Sequence, residues 1–286
     1  MEELKAGNVV TLEAIREADF GIFLTDGKTD VLLHKSEMSS PVALGDEVEV
    51  FLYNDKQGRV AASMTIPKLQ IGTFDWCEVV SLVSGLGVFI DIGLKKDILI
   101  HKDDLPKIER VWPKAGDQVY STLKTDKNGW LYGKLATESD MEPLFQRADR
   151  SAFNKNVSGI VYRTLKSGSF VLTDEGYRGF IHESQRENEP RIGERVTGRI
   201  IDVKDDGSVN LSLLKRGYEV LDDDAERIFQ YLVKRGGKMP YTDKSRPEEI
   251  MTRFGMSKAA FKRALGRLMK EGKVYQKEGW TFKKDE

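Results

Sequence analysis

Cysteine is nearly absent from this 286-residue chain: Cys77 stands alone, so no intrachain disulfide forms. That fits a reducing compartment. Long apolar runs are missing too, and none approaches the roughly 20 residues a membrane helix needs. The start, Met1-Glu2-Glu3-Leu4-Lys5-Ala6-Gly7, lacks the basic and apolar regions of a secretory signal. The expectation is a cytoplasmic protein with no membrane partner. Net charge is scarce as well, at −1 overall, but it is unevenly spread. Residues 1–70 carry 7 Lys/Arg against 12 Asp/Glu, and residues 222–286 carry 16 against 11. The C-terminal quarter is therefore the end suited to a polyanion.

Catalytic groups are also hard to assemble. The three histidines lie 67 and 81 residues apart, and no Cys, His or Asp cluster accompanies any of them. Metal-ligand spacing is thus lacking. Asp103-Asp104 and Asp205-Asp206 sit at turn positions, where solvated acids are ordinary. Gly85-Leu86-Gly87 has Ile90 where a phosphate loop would carry its third glycine. The expectation is no enzyme, no cofactor, no metal and no catalytic residue.

What the chain does have is a repeat. His34 closes Val31-Leu32-Leu33-His34, His101 closes Ile98-Leu99-Ile100-His101, and His182 closes Gly179-Phe180-Ile181-His182. A Gly-x-Phe unit precedes each: Gly21-Ile22-Phe23, Gly87-Val88-Phe89 and Gly168-Ser169-Phe170. A Gly-acid pair follows each: Gly45-Asp46, Gly116-Asp117 and Gly193-Glu194. From that pair to the next turn glycine (Gly58, Gly129, Gly207) the distance is 13, 13 and 14 residues. Stretches such as Glu47-Val48-Glu49-Val50-Phe51 alternate polar and apolar residues, the mark of half-buried strands. About 65 residues with five short strands suit a small closed barrel of the OB-fold type.

The ordered set of Gly-x-Phe, strand-end His, Gly-acid and Asp-x-x-Gly resembles the S1 RNA-binding domain, an OB-fold subtype. The resemblance covers about 210 residues in three copies. In the first copy it implies an RNA-contact patch of Phe20, Phe23, His34, Asp55 and Arg59. The counterparts are Phe89, His101 and Trp130 in the second copy. In the third they are Phe170 and His182, with Phe180 and Arg178 nearby. Flat rings stack on unpaired bases at about 1–3 kcal/mol per base. Phe20 and Phe23 are three apart, so strict alternation puts them on opposite faces unless a bulge at Gly21 reconciles them. The later copies depart from the pattern: Leu86 and Ser167 stand in place of Phe20, and Trp130 and Ser208 in place of Arg59.

Between the second and third copies, residues 137–147 read as a short helical connector with Pro143 in its first turn, acting as a spacer. After Leu214 the period becomes helical. Ala225 to Arg235 forms one helix. Ser245-Arg246-Pro247-Glu248 reads as a capping box for a second helix through Phe254. Ser257 caps a third helix with an apolar stripe of Phe261, Ala264, Leu265, Leu268 and Met269. Lys262, Arg263, Arg267 and Lys270 occupy its opposite arc, as candidate phosphate contacts. A hairpin around Glu278-Gly279 completes a winged helix.

The expected fold is therefore multidomain: three all-β S1-like OB-fold barrels (1–66, 67–136 and 155–214), a helical linker (137–154) and an α+β winged-helix domain (222–286). This order, with Met256-Ser257-Lys258-Ala259-Ala260-Phe261-Lys262-Arg263-Ala264-Leu265-Gly266 in the last domain, resembles the conserved virulence factor B family. The resemblance implies a bacterial, non-catalytic regulator that works through RNA. Single-stranded RNA is the expected partner, with DNA a further candidate for the winged helix. A scaffold docking the ribosome, RNA polymerase or a nuclease is the alternative, favoured by the near-neutral charge. Oligomeric state is not set by the sequence.

Overall fold

The structure, a computed structural model, describes residues 4–284, and the chain divides into two compact units between Leu213 and Leu214. The first unit holds three five-stranded domains. The first domain comprises β1 (Val9–Ala18), β2 (Gly21–Thr25), β3 (Asp30–His34), β4 (Glu47–Asn54) and β5 (Val60–Ser63). They pair in the order β1-β2-β3-β5-β4, and β4 returns to β1 to close the ring. The second domain repeats this with β6 (Asp75–Val83), β7 (Gly87–Asp91), β8 (Ile98–His101), β9 (Gln118–Thr125) and β10 (Leu131–Leu135). The connector forms α1 (Glu138–Met141). The third domain comprises β11 (Asn156–Leu165), β12 (Gly168–Thr173), β13 (Arg178–His182), β14 (Arg195–Val203) and β15 (Val209–Ser212). The parallel seam joins two residue pairs in the first ring and three in the third, but in the second it narrows to one bridge, Gly133 to Ile100.

The Gly-acid pairs set one shared device. Gly45, Gly116 and Gly193 have φ of 87°, 87° and 81°, where a side chain is strained. The acid after each glycine turns back on the loop: Asp46 accepts from the Ala43 N–H at 2.8 Å, Asp117 from Lys114 at 2.7 Å and Glu194 from Arg191 at 3.0 Å. Each glycine N–H then reaches the first strand of its ring, at Ala14, Val79 or Val161. Immediately beyond that point all three strands bulge, at Ile15, Val80 and Tyr162. Bulges of this kind bend a strand and re-aim the side chains beyond the bend.

Strand alternation also welds the domains together. In β4, Val48, Val50 and Leu52 enter the first domain's own core, whereas the fully buried Phe51 joins the core of the second, beside Leu69, Leu123 and Leu131. Asn54, buried, accepts from Leu131 N–H at 2.8 Å and donates to Gly129 at 3.2 Å. The third domain docks on the second through Ile192, in that same core, and through a bidentate Arg191–Asp117 pair at 2.6 and 2.8 Å. The Asp117 hydrogen bonds hold the Arg191 guanidinium above its ordinary range.

The second unit is built from α2 (Gly217–Lys234), β16 (Lys238–Met239), α3 (Pro247–Phe254), α4 (Lys258–Lys270), β17 (Val274–Lys277) and β18 (Trp280–Lys283). Ile228, Leu232, Ile250, Phe261, Leu265 and Leu268 form its core. Several details differ from the sequence expectation. The first helix begins at Gly217 rather than Ala225, and a short third strand, β16, adds to the hairpin. The α3 cap falls one residue later: Glu249 accepts from the Arg246 N–H at 3.2 Å, while Ser245 closes the preceding turn by accepting from Thr242. Met269 leaves the apolar stripe and is exposed, because the helix buries only the arc centred on Phe261 and Leu265.

Phe51→Ala should destabilise the first unit by about 3–5 kcal/mol, the usual cost of emptying a buried phenylalanine site. Urea unfolding followed by tryptophan fluorescence reads the effect, since Trp76, Trp112 and Trp130 all lie in the second domain. An unchanged midpoint would refute a core shared by the two domains.

Candidate nucleic-acid interface

The repeated Gly-x-Phe and His landmarks are two ends of one hairpin. Gly21 pairs with His34, Gly87 with His101 and Gly168 with His182. A Cβ at these glycines would collide with the carbonyl oxygen of Leu33, Ile100 or Ile181. The histidine in turn caps the 3₁₀ turn after its strand. Nδ1 of His34 accepts from the Ser36 N–H at 3.1 Å, that of His101 from Asp103 at 3.4 Å and that of His182 from Ser184 at 3.2 Å. An accepting Nδ1 places the neutral ring's proton on Nε2. The scarce histidines thus have a structural task as well as a position on the surface.

Above this hairpin, one row of residues crosses the outer face of each ring. In the first domain it runs Arg16, Phe23, Leu32, Ala61, Tyr53. Phe20 stands in the turn before β2 and is 49% exposed. Its ring meets Phe23 edge to face at 6.3 Å. No bulge at Gly21 is needed to bring the two together: Phe20 precedes the strand, so alternation does not apply to it, and the bulge lies opposite, at Ile15 of β1. The bulge brings Arg16 opposite Phe23, with the guanidinium 3.9 Å from the ring centroid. Phe20, Phe23, His34, Tyr53, Asp55 and Arg59 line a groove of about 560 Å³.

The floor of that groove is preorganised. Asp55 accepts from the N–H of Gln57 and Arg59, at 2.9 Å each, and from Arg59 Nε at 2.8 Å. Burial pushes its carboxyl up, but the Arg59 guanidinium and these N–H groups outweigh that and hold it below the usual range. Burial, then Glu37 and Asp55, push the Tyr53 hydroxyl up to about 12, so it stays a hydrogen-bond donor. Most of the Arg59 side chain remains in solvent.

The other faces differ. In the second domain Phe89 is half-buried and the His101 ring is held by its cap bond from the Asp103 N–H. Lys124 is tied to Asp104 at 2.6 Å. Trp130 packs against Gly58 of the first domain, whereas Arg59 pairs with Asp55 yet keeps most of its side chain in solvent. Beside it, Lys96 donates to the Asn54 and Asp55 carbonyls at 2.8 and 3.4 Å, and its burial lowers its ammonium below the ordinary range. In the third domain the row is Arg163, Phe170, Phe180, Asn210, Asp202. Phe170 and Phe180 lie 5.0 Å apart, and His182 is 6.4 Å beyond.

Arg178 does not stand free. Its guanidinium lies 4.7 Å from the Phe170 centroid, and its Nε donates to Glu138 of α1 at 2.6 Å. Burial pulls its pKa down, but the Glu138 carboxylate raises it on balance. Burial, then Glu138, likewise push the Tyr162 hydroxyl well up. The connector is therefore docked on the third domain, not a spacer. Its helix is a single turn opened by Thr137, and Pro143 falls in the 3₁₀ turn after it.

On α4, Lys262, Arg263 and Lys270 are exposed, as the helical period required. Arg267 is instead committed within the domain, to Asp222 and to Glu271, the latter at 2.8 Å. Cys77 is buried, and burial pushes its thiol up to about 11, which keeps it a protonated core residue. Among the described residues, no group of three or more His, Cys, Asp or Glu is placed to hold a metal ion.

Sequence reasoning missed Arg16, Tyr53, Tyr162, Arg163 and Glu138. A signal existed for two of them: Arg16 and Arg163 both stand five residues before the glycine of Gly-x-Phe. Tyr53 and Glu138 gain their meaning only from strand register and docking.

His34→Ala should cost about 1 kcal/mol through loss of the turn cap, while His34→Asn, a favoured cap residue, should retain most of it. Urea denaturation of the intact chain measures both. Equal stability of the two variants would remove the cap explanation.

Four family profiles match in sequence: "S1 domain" over residues 6–65, "CvfB first S1-like domain" over 74–134, "Virulence regulatory factor CvfB, second domain" over 141–215 and "CvfB-like winged helix domain" over 226–282. The chain is 52% identical over 283 residues to the uncharacterized protein YitL of Bacillus subtilis, covering 99% of this chain and 95% of the relative. It is 39% identical over 272 residues to conserved virulence factor B of Staphylococcus epidermidis, covering 91% of each. A crystal structure of a multidomain protein with nucleic acid binding domains from Streptococcus pneumoniae aligns over 98% of both chains, at 37% identity and a TM-score of 0.65. With tandem S1-like domains and a terminal winged helix, the chain belongs to the conserved virulence factor B family.

Proposed function

We propose that this protein is a non-catalytic, cytoplasmic binder of single-stranded RNA that regulates gene expression after transcription. The carrying observation is the first-domain groove, where Phe20, Phe23, His34, Tyr53 and Arg59 converge over a hydrogen-bonded Asp55 floor. The rings offer stacking planes for unpaired bases, and the Arg59 guanidinium, oriented by Asp55 but largely in solvent, offers a phosphate or base contact beside them. The relatives' descriptions, a virulence regulatory factor and nucleic acid binding domains, point the same way. Phe89 with His101, and Phe170 with Phe180 and His182, supply further faces of lower reach, because Lys124, Trp130 and Arg178 are engaged within the protein. Lys262, Arg263 and Lys270 add a basic surface for phosphates, on DNA as well as RNA. Several weak sites on one chain gain by effective concentration.

A scaffold role is the second reading. It is favoured by the first domain's acidic balance and by exposed Val80, Leu82, Val83 and Leu86 on the second domain. The two separate in one experiment. Filter binding of the intact chain to single-stranded RNA, duplex RNA and DNA is run over a salt series. Binding to the single strand should weaken with a log–log slope of about −0.7 per phosphate neutralised. Phe20→Ala with Phe23→Ala should lower that affinity by about 1–3 kcal/mol per lost stacking base. Salt-independent retention, or full affinity in the double variant, would overturn the RNA reading. Retention of RNA by an alanine variant at Arg59, Lys262, Arg263 and Lys270 that has lost a partner protein would favour the scaffold.

A further inference from the structure

The third domain carries a feature that its siblings lack: a carboxylate from the connector seated at the end of its aromatic face. Glu138 Oε1 accepts from Arg178 Nε at 2.6 Å and from the Tyr162 hydroxyl at 3.1 Å, and Oε2 lies 3.4 Å from Arg163. Three donors from two strands, β11 and β13, thus converge on one anion. The same guanidiniums flank the Phe170 ring, at 4.7 Å for Arg178 and 5.7 Å for Arg163. Phe180 and His182 continue the face away from the anion.

The placement of Glu138 is enforced locally. Asp140 accepts from the Thr137 N–H at 2.7 Å and from its hydroxyl at 2.6 Å, which fixes the turn that aims Glu138. On the first domain the corresponding Arg16 meets the Phe23 ring, and no carboxylate pairs with it among the described residues. Glu138 and Arg178 keep 26% and 32% of their side-chain surface in solvent, and Arg163 keeps 46%. The cluster is therefore partly open to solvent, so an incoming anion can reach it. Two guanidiniums and a phenol O–H beside stacking rings are what a phosphodiester next to an unpaired base requires.

We propose that Glu138 is a built-in stand-in for a nucleic-acid phosphate. It fills an anion site formed by Arg178, Arg163 and Tyr162, and a phosphate of single-stranded RNA displaces it to open the third-domain face. The proposal deepens the RNA-binding reading and rests on it. No covalent step is involved, only exchange of one anion for another, so the coupling is competitive and reciprocal.

The test uses the intact chain and a fluorescently labelled single-stranded RNA of mixed sequence. Glu138→Gln keeps the shape and removes the competing charge. It should bind about five- to tenfold tighter than the wild type, within the range of ordinary coupling between sites. Glu138→Gln combined with Arg178→Gln should lose that gain, and its salt slope should be shallower by about 0.7, one phosphate fewer. Should Glu138→Gln fail to fold, as judged by thermal melting, the Arg178 Nε–H resonance of the wild-type protein replaces it: RNA must shift that signal. Wild-type binding with no change in Glu138→Gln, weaker binding in it, or an unmoved Arg178 signal overturns the stand-in while leaving RNA binding intact. No RNA binding by either protein overturns both readings. Binding by Glu138→Gln alone supports the stand-in most strongly.

Discussion

Every S1-like unit in this chain depends on one close approach between neighbouring strands. Where Gly21, Gly87 or Gly168 meets its histidine partner, the backbones lie too near for any side chain at the glycine. The approach lets the strand end at the histidine, whose ring then caps the next turn. The Gly-acid loop ties back to the opposite strand just before its bulge. Tight hairpin, capped turn and bulge together settle which side chains reach the outer face. Phe23, Phe89 and Phe170 are held half-exposed because that backbone leaves them nowhere else to go.

A common scaffold has been put to three different uses. The first domain keeps its face open. The second spends its equivalents on internal contacts, with Lys124 on Asp104 and Trp130 over the neighbouring Gly58. The third has its basic end met by Glu138. The chain's 45 basic residues are balanced by 46 acidic ones, and the ion pairs show where part of that balance is local. Basic groups at these faces are often matched by a local acid, which lowers the long-range field while leaving short-range donors in place. Phe51, Ile192 and the Arg191–Asp117 pair join the three domains of the first unit through a continuous core and a bidentate link.

Much of this was readable from residues alone, because the landmarks are local. A glycine forced by a close approach, a capping histidine and an acid folding onto its own loop act within a few residues, so they leave a spaced pattern. The winged helix showed itself through the 3.6-residue period for the same reason. The mismatches there are equally local. The α3 cap slipped by one residue because the Ser245 hydroxyl is taken by the Thr242 N–H, and Met269 sits at the margin of an arc that burial, not periodicity, delimits.

The sequence by itself determined the number and type of domains, the hairpins and turns, and the presence of rings and imidazoles on the outside. Tertiary structure alone decided which of those groups remain free. Arg178 and Arg267 look like open cations in one dimension, yet each meets a carboxylate, 40 and 45 residues away respectively. Trp130 looks like a stacking platform until the first domain packs upon it. Periodicity reports the face on which a side chain lies, but pairing between distant segments is set by how strands register and domains dock, and no local pattern encodes that.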